Sequence, residues 1–526
     1  MKKNFFNKQN IYYLLLVINS FAFIFFYGNQ GVFPIDSFFI YDAGFHVLNG
    51  NHPFKDYWSI TGPLLDYIQS FLFYLFGVKW LSYVLHAAIF NSFISIICFY
   101  FLIKIGLEKT FSFLYSLGVS ILAYTSIGSP FVDHHAVIFC LASVCFFSLA
   151  MLYNKKIYWL YSSSLLVLSF FSKQIPSSYI VFLMIFFLVT YLSTFYSKKF
   201  FFNSVMFYVL GGLVPLMVIF LFFIINEIPL KNFIIQYLLY PMSIGENRVS
   251  NFNFNFNNLI NKFKFIYVSL IPVFVTILLL LKKTKKNDNT KKEIFNLSFI
   301  ILSALIFIYS QLITKNQVLI FFIIPFYLGI SHYYLNKYFV KKHEHKKIFI
   351  YPILLILLFV TTKYHFRFNV ERKFIELSNV DLSLSKKAGQ IDQSLKGLNW
   401  ISSKFPTNPQ KEINFLIEVK NILNKDKKNK FLVTDYQFLA SVSNSIKVSP
   451  NKWYDVLSMP PKDNRYFLNY KNFFLDNYKK NNIDNIYVVG KNEKKYIYNL
   501  INKKSCIESK RINEILILIS LKDCKI

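Results

Sequence analysis

Three charged residues near the ends of apolar segments are the first candidates for chemistry. Asp36 follows the first apolar segment, Asp133 stands at the start of the fourth, and Lys173 lies in the short connection after the fifth. A carboxylate can accept a proton from a hydroxyl group, and a lysine can hold a departing phosphate. Charge near hydrocarbon is costly, about 2.5–3.5 kcal/mol at a helix centre and less near the ends. These residue types together suit the transfer of a group from a phosphate-linked lipid to a hydroxyl.

Each of the three residues also has an ordinary structural explanation. Asp36 could cap the helix that follows it, and Asp133 could cap its own span in the same way. Lys173 could simply extend its ammonium group to the membrane interface. Capping does not account for the long loop around Asp36, so a catalytic or substrate-orienting role is the preferred interpretation there.

The loop around Asp36 has the pattern of a helix that lies on a membrane surface. Asp42, His46 and Asn49 fall at i, i+4 and i+7 of one face. The opposite face is apolar and holds Phe38, Tyr41, Phe45 and Leu48. Such a helix is expected in the interface and not across the membrane. A second apolar segment, 64–76, predicts another interfacial helix.

Other polar residues nearby are weaker candidates. Asp56, with its neighbour Lys55, is expected at the solvent-exposed rim of such a site, where it could contact a sugar. His134 is preferred to His135, because neighbouring residues of a helix point about 100° apart and only one can face a site. The segment His343–His345 (HEH) lacks the i, i+4 spacing of paired histidine ligands and is interpreted as a solvated loop.

The elements that must position these residues are membrane-spanning helices. Of 526 residues, 54% are hydrophobic and 16% are charged, whereas soluble domains have about a quarter charged residues. The apolar residues form blocks that approach the roughly 20 residues needed to cross about 30 Å of hydrocarbon. We predict an all-α polytopic membrane domain over residues 1–362, with about eleven spans. They are placed near 11–28, 82–103, 111–127, 134–153, 157–171, 175–196, 205–225, 265–281, 295–313, 318–336 and 348–362.

The charge of the connections predicts the orientation. Lysines concentrate in alternate connections, so the positive-inside rule places the N-terminus in the cytoplasm. An odd number of spans then places the C-terminal part outside, in the periplasm beyond an inner membrane. The same count of spans places Asp36, Asp133 and Lys173 together at this outer face. The net charge of +31 is assigned to these connections and to solvated surface, not to nucleic-acid binding. Cys506 and Cys524 could pair in an oxidising compartment.

Two connections on the predicted outer side, 28–81 and 226–264, are unusually long, which is typical of functional or disordered loops. The second contains Asn251–Asn258, an alternating Asn/Phe run that could be a lid or a low-complexity spacer.

The remainder, 363–526, has the pattern of a small soluble α/β domain. Helical spacing at 412–423 and 467–478 alternates with strand patterns at 430–435, 485–490 and 515–521. This alternation favours a small parallel sheet. No glycine-rich phosphate loop follows a strand, so nucleotide binding is not supported.

Several short motifs resemble those of the C-type glycosyltransferase (GT-C) superfamily. The resemblance is to its family 39-like enzymes, which include protein mannosyltransferases and the lipid A aminoarabinose transferase. Pro34–Asp36 resembles the first acidic motif, and Asp133-His134 resembles the second. Gly50–Asp56 and Gly62–Leu64 resemble the glycine, aromatic and proline-leucine positions of the family. Lys173-Gln174 resembles the basic pair that follows at the next outer turn. The likeness covers roughly residues 10–200. It departs at Ser37, where many relatives carry a second acid that could help to bind a divalent metal ion.

The resemblance implies a membrane glycosyltransferase. It would move a sugar from a polyprenyl-phosphate donor to a hydroxyl of a glycan, lipid or protein acceptor at the outer face, within membrane lipid. Asp36 would act as the base, and Asp133 would orient the acceptor or an ion. The residues expected to bind substrate are Lys173, Gln174, His134, Asp56 and Tyr41.

Three other classes remain open from the sequence. A transporter or flippase for lipid-linked glycans would favour charges deep within spans and broken helices. A polysaccharide ligase or polymerase would share the lipid-linked donor without the acidic first loop. A non-catalytic assembly protein would use the C-terminal part to bind a partner.

Overall fold

The computed structural model covers most of the chain. The described residues are 8–124, 127–250, 255–282, 287–314, 317–339, 350–490, 500, 507–513 and 516–521. Cys506, Cys524 and His343–His345 lie outside these ranges, as do residues 251–254 of the Asn/Phe run.

The first two thirds of the chain form a bundle of helices. In chain order these are α1 (Lys8–Tyr27), α2 (Pro34–Ser37), α3 (Phe39–Leu48), α4 (Leu64–Phe76), α5 (Trp80–Ile105), α6 (Lys109–Leu122), α7 (Val132–Tyr153), α8 (Lys156–Ser172), α9 (Ser177–Phe195), α10 (Lys198–Ile225), α11 (Leu230–Phe233), α12 (Tyr240–Ser250), α13 (Phe256–Leu259), α14 (Lys264–Lys282), α15 (Asp288–Thr314), α16 (Ile323–Tyr338) and α17 (Tyr351–Tyr364). Within the described ranges, eight helical stretches are long and apolar enough to cross a membrane, and they contain α1, α5, α7, α9, α10, α14, α15 and α17. The predicted all-α polytopic membrane architecture is confirmed.

Three predicted spans form shorter helices. Helices α6, α8 and α16 contain 14, 17 and 16 residues. At 1.5 Å per residue they are about 21–26 Å long, less than the roughly 30 Å of a hydrocarbon core. All of the roughly eleven predicted positions are therefore helical, and eight of them reach the length of a full crossing.

Helix α7 lies at the centre of the bundle, and 83% of its most apolar stretch is buried. Ser143 Oγ donates a hydrogen bond to the carbonyl oxygen of Ser162 in α8 at 2.6 Å. Ser148 Oγ donates to Asn296 Oδ1 in α15, also at 2.6 Å. Small side chains and hydroxyl groups let membrane helices approach closely. The close packing fixes the first turn of α7, where Asp133 lies.

The C-terminal part contains a mixed four-stranded sheet. Its elements are the short strands β1 (Lys386–Lys387) and β2 (Asn399–Trp400), α18 (Pro409–Lys425), β3 (Lys430–Thr434), α19 (Leu439–Val442), α20 (Phe467–Lys480), β4 (Asn485–Val489), β5 (Ile507–Arg511) and β6 (Leu516–Leu521). The strand order is β3-β4-β6-β5. Only β3 and β4 are parallel, and β6 is antiparallel to both β4 and β5. The prediction of a parallel sheet is therefore wrong for β6. The polar edge strand β5, with which β6 pairs, has no apolar alternation and could not be recognised in the sequence.

The C-terminal part packs on the first long loop, which the structure bounds at 28–79. Backbone hydrogen bonds join Val32 N to Ile401 O at 2.9 Å and Trp58 N to Pro450 O at 3.0 Å. The ring of Phe38 stacks on that of Trp400, with centroids 5.8 Å apart. The loop and the C-terminal part consequently share one core.

This packing corrects one expectation for the first long loop. Helix α3 does not lie on a membrane surface with one face exposed, because the C-terminal part covers it and buries both Tyr41 and Asp42. Helix α4 does keep an exposed apolar face, at Phe71, Tyr74 and Leu75, as expected for an interfacial helix.

Candidate functional site

Asp36 lies in α2, the short helix that enters the first long loop. Pro34 begins that helix and Phe33 is its N-cap, so Asp36 does not act as the cap. Ser37 Oγ accepts a hydrogen bond from Phe33 N at 3.0 Å, which fixes the turn. Within the described part of the chain, the half-buried Asp36 carboxyl group makes no hydrogen bond or ion pair. The group is therefore available to a substrate.

The surroundings of Asp36 favour its protonated form. Burial is the largest cause, and the negative charges of Asp455, Asp133, Asp435 and Glu376 act in the same direction. They raise the pKa of Asp36 to about 7. A carboxyl group with a pKa near neutrality can exchange a proton in either direction at physiological pH.

Asp133 and Lys173 form an ion pair beside this carboxyl group. Asp133 lies in the first turn of α7, whose N-cap is Phe131, and Lys173 is the first residue after α8. Lys173 Nζ lies 2.5 Å from Asp133 Oδ1. The lysine keeps about a fifth of its side-chain surface exposed, whereas the aspartate is almost fully buried. The structure therefore brings together the three charged residues that the sequence placed at one face of the membrane.

Two further charged residues complete the site, and neither was predicted from the sequence. Arg248 of α12 is half-buried, and burial lowers the pKa of its guanidinium group. The carboxylates of Asp133 and Asp455 partly offset this decrease. Asp455 belongs to the C-terminal part. One signal could have identified Arg248: it is the only arginine among residues 1–362, in a segment that otherwise uses lysine for its cationic side chains. No comparable signal marks Asp455.

The segment that carries Asp455 is fixed against α2 and α3. Trp453 Nε1 donates to the carbonyl oxygen of Ile35 at 3.0 Å, and its ring stacks on Phe39 with centroids 4.9 Å apart. On the other side of Asp455, Tyr240 Oη donates to Leu457 O at 2.8 Å. The first long loop, α12 and the C-terminal part thus converge on Asp36.

Gln174 holds loops together. Its Nε2 donates to Ile60 O at 3.1 Å and to Tyr237 O at 2.5 Å. It therefore joins the first long loop to the second (226–263), directly beside Lys173. Both hydrogen bonds use the side-chain amide nitrogen and join it to backbone. The predicted contact of Gln174 with substrate stays a prediction.

Asp56 is not an exposed rim residue, which corrects the expectation for it. It is buried, and its carboxylate accepts hydrogen bonds from Lys480 Nζ and His52 N, each at 2.8 Å. Asp56 consequently links the first long loop to α20.

Tyr41 and His134 are packed in the core. Tyr41 is fully buried, with its ring 5.0 Å from that of Phe73. His134 is also buried and stacks on Tyr124 with centroids 4.6 Å apart. The structure does not bring Tyr41 to an accessible surface of the site, and His134 lies one residue from Asp133 but inside the bundle.

A buried ion pair fixes the C-terminal part beside the site. Lys452 Nζ lies 2.5 Å from Asp66 Oδ1 and 2.9 Å from Thr61 Oγ1, and Tyr57 Oη donates to Asp66 Oδ2 at 2.9 Å. Burial raises the pKa of Asp66 and lowers that of Lys452, and each charge opposes the effect of burial on the other. Because each charge has its partner here, the loss of either one would leave an uncompensated charge buried at this interface.

The described residues contain no group of three or more His, Cys, Asp or Glu side chains arranged to hold a metal ion. One buried pair of such side chains lies in α3, where His46 Nε2 is 3.3 Å from Asp42 Oδ1. At the position where a second acid would follow Asp36, Ser37 bonds to backbone. Among the residues that the structure describes, the surroundings of Asp36 do not fit a divalent metal site.

Comparisons with solved structures give distant likenesses, one of which is to an oligosaccharyltransferase. An archaeal oligosaccharyltransferase, AglB from Archaeoglobus fulgidus, solved with an inhibitory peptide and a dolichol-phosphate, aligns with 93% of this chain and 70% of its own, with a TM-score of 0.45 and 10% identity. The alignment assigns no role to any residue of this chain. No family model matches the sequence, and no curated protein matches it.

Proposed function

We propose that this protein is a membrane glycosyltransferase of the GT-C type that moves a sugar from a polyprenyl-phosphate donor to a hydroxyl acceptor. One observation carries the proposal: a half-buried carboxyl group, Asp36, with its pKa raised to about 7, lies beside the Asp133–Lys173 ion pair. This transfer requires a general base whose pKa lies near neutral pH and a cation that stabilises the leaving phosphate.

The reaction would be a single displacement. Asp36 accepts the proton of the acceptor hydroxyl while that oxygen forms a bond to the anomeric carbon of the sugar. The bond from this carbon to the phosphate oxygen breaks, and the polyprenyl phosphate leaves with the electron pair. Lys173 exchanges its partner Asp133 for the phosphate, whose added negative charge it stabilises. Asp133 is then free to orient the acceptor hydroxyl.

An apolar groove whose lining includes the end of α8 would hold the polyprenyl chain. The groove has a volume of about 490 Å³ and lies between α4 and α10, with Phe71, Val218 and Phe222 in its walls. Exposed apolar side chains such as Tyr74 and Val218 border it, so it opens towards lipid. Phe171 lines the groove and lies two residues before Lys173, which suits a chain in the groove with its phosphate at the lysine.

The proposal places the site at the outer face of the cell membrane, with the N-terminus in the cytoplasm and the C-terminal part in the periplasm, as the lysine distribution indicates. A transporter would be expected to carry charged residues near the middle of its spans. The charged residues of this site lie at helix ends, which favours the transferase.

The test is transfer of radiolabelled sugar from polyprenyl phosphate in membranes that contain Asp36→Asn. We expect transfer to be lost at normal protein levels, because an amide cannot accept the proton. Asp463→Asn, at an exposed aspartate of the C-terminal part, is the matched control and should leave transfer unchanged. Undiminished transfer by Asp36→Asn excludes this role for Asp36.

A further inference from the structure

A second cavity, away from the charged site, is polar and open to water. This cavity, which we call the polar groove, has a volume of about 460 Å³. It lies between the first long loop, the second long loop and α20. Its walls include Trp58, Lys231, Gln236, Asn469, Asn472 and Asp476. Nothing in the proposed transfer at Asp36 uses it.

The walls of the polar groove contain many hydrogen-bonding groups that have no partner in the protein. Asn469, Asn472 and Asp476 project from exposed positions of α20, and in the described ranges none of them makes a hydrogen bond or ion pair. Two buried atoms of the wall, Trp58 Nε1 and Asn477 Oδ1, also lack partners among the described residues. The exposed amide and carboxylate groups of α20 can therefore donate and accept hydrogen bonds to a polar ligand.

The charges of the polar groove are nearly balanced. Lys55 is paired with Glu227 at 3.3 Å, and Lys480 is paired with Asp56 at 2.8 Å. Lys231 is offset by Asp476 in the same walls. A polyanion would therefore find little net attraction here. The exposed amide groups and carboxylate of the walls match a ligand with many neutral hydroxyl groups.

The polar groove is connected to the charged site by a short chain of hydrogen bonds. Gln236 lies in its wall and accepts a hydrogen bond from Ser59 N at 3.0 Å. The next residue, Tyr237, accepts a bond from Gln174, which also binds Ile60 O. Gln174 follows Lys173 directly. A ligand in the polar groove thus lies against the segments that position Lys173.

We infer that the polar groove binds a neutral oligosaccharide. Its identification as the acceptor glycan of the transfer rests on the proposed function, whereas the binding itself does not. The chain of hydrogen bonds that links Gln236 and Tyr237 to Gln174 places the polar groove and the charged site on adjoining segments.

The experiment measures binding of the purified full-length protein to an array of neutral and anionic oligosaccharides, at low and at high salt. We expect neutral glycans to bind, with little effect of salt. Asn472→Trp, which fills the groove, and the double substitution Asn469→Ala with Asn472→Ala should each weaken binding by about ten-fold or more, as the loss of contacts and hydrogen bonds requires. Asn414→Trp, at an exposed position of α18, is the matched control.

The outcomes separate this inference from the proposed function. Asp36→Asn should retain glycan binding even though it abolishes transfer. The inference is overturned if no neutral glycan binds, or if only anionic glycans bind. It is also overturned if both groove variants melt like the native protein and bind glycans as well as it does. Each of those results leaves the Asp36 assay untouched.

Discussion

Lys452 Nζ lies 2.5 Å from Asp66 Oδ1, and both side chains are almost completely buried. One comes from the C-terminal part and the other from α4, and Thr61 and Tyr57 satisfy the remaining atoms. The ion pair inserts a cation of the C-terminal part into the loop that carries Asp36. The C-terminal part is therefore a structural component of the site and not an appendage to it.

Removal of one partner of this pair should strongly destabilise the interface. Lys452→Met leaves the Asp66 carboxylate buried without its counter-ion, which typically costs about 3–5 kcal/mol. We expect a lower midpoint in thermal unfolding of the detergent-solubilised protein, and faster proteolysis between the membrane and C-terminal parts. Lys462→Met, at an exposed lysine, should have no such effect. Equal melting of the two variants would show that the pair does not support the interface.

The rate of transfer should depend on the ionisation of Asp36. A general base is active when it is deprotonated, and the pKa of Asp36 is raised to about 7. Below this value the rate should rise by about ten-fold per pH unit, and above it the rate should level off. The measurement is kcat/KM for the donor as a function of pH, which reports the ionisation of groups in the free enzyme. A rate already constant from pH 5 upwards would contradict a base with this pKa.

The same carboxyl group should make stability depend on pH. The pKa of Asp36 is about 7 in the folded protein and 3.8 for an ordinary aspartate, so between these values the folded state binds the proton more tightly than the unfolded state. The contribution of Asp36 to stability is therefore present at low pH and is lost as the pH rises towards 7. Asp36→Asn should raise the melting temperature at pH 8 relative to the native protein and change it little at pH 4. A loss of stability at both pH values would contradict this prediction.

Substitution of Lys173 should affect donor use. Lys173→Met removes the cation that stabilises the leaving phosphate, and transfer should fall by about 10²–10³-fold. Lys173→Arg keeps the charge and should retain part of the activity, although its geometry differs. Steady-state rates against donor concentration provide the measurement, with Lys479→Met, at an exposed lysine of α20, as the control. Normal kcat and KM in Lys173→Met would exclude its contact with phosphate.

Arg248 and Asp455 should act as a unit. Both lie close enough to interact electrostatically, on segments that come from opposite sides of the site. Arg248→Gln and Asp455→Asn should each lower transfer, and the double variant should lose less than the product of the two effects. The double-mutant cycle is measured on transfer rates with melting temperature as a check of folding. Fully multiplicative effects would show that the two residues act independently.

Much of the fold could be predicted from local patterns. Long apolar blocks predicted the eleven longer helices that the structure describes at the span positions, since a chain in lipid must satisfy its backbone within each helix. The shared location of Asp36, Asp133 and Lys173 followed from counting spans, because each residue stands at a helix end. Strands β3 and β4 were evident from their apolar runs, whereas the polar strand β5 was not.

What the sequence could not reveal depends on contacts between distant segments. The pattern of α3 indicated an amphipathic helix, but nothing local showed that the C-terminal part covers its polar face. Asp56 is a charged residue in a loop, a combination that usually indicates exposure to solvent. Its burial depends on the position of α20, which only the structure shows. Asp455 reaches Asp36 because Trp453 binds the Ile35 carbonyl, a contact between residues 418 apart in sequence.

The ion pair of Lys452 and Asp66 has a consequence for biosynthesis. Its two residues are separated by 386 positions, so a ribosome makes every span of the bundle before it makes the lysine. During that interval Asp66 has no counter-ion and the loop around Asp36 lacks its cover, because contacts so distant in sequence form late. On the proposed function, the newly inserted chain should gain activity only when its last third arrives, and chains that terminate early should contain the helices of the bundle but no active site.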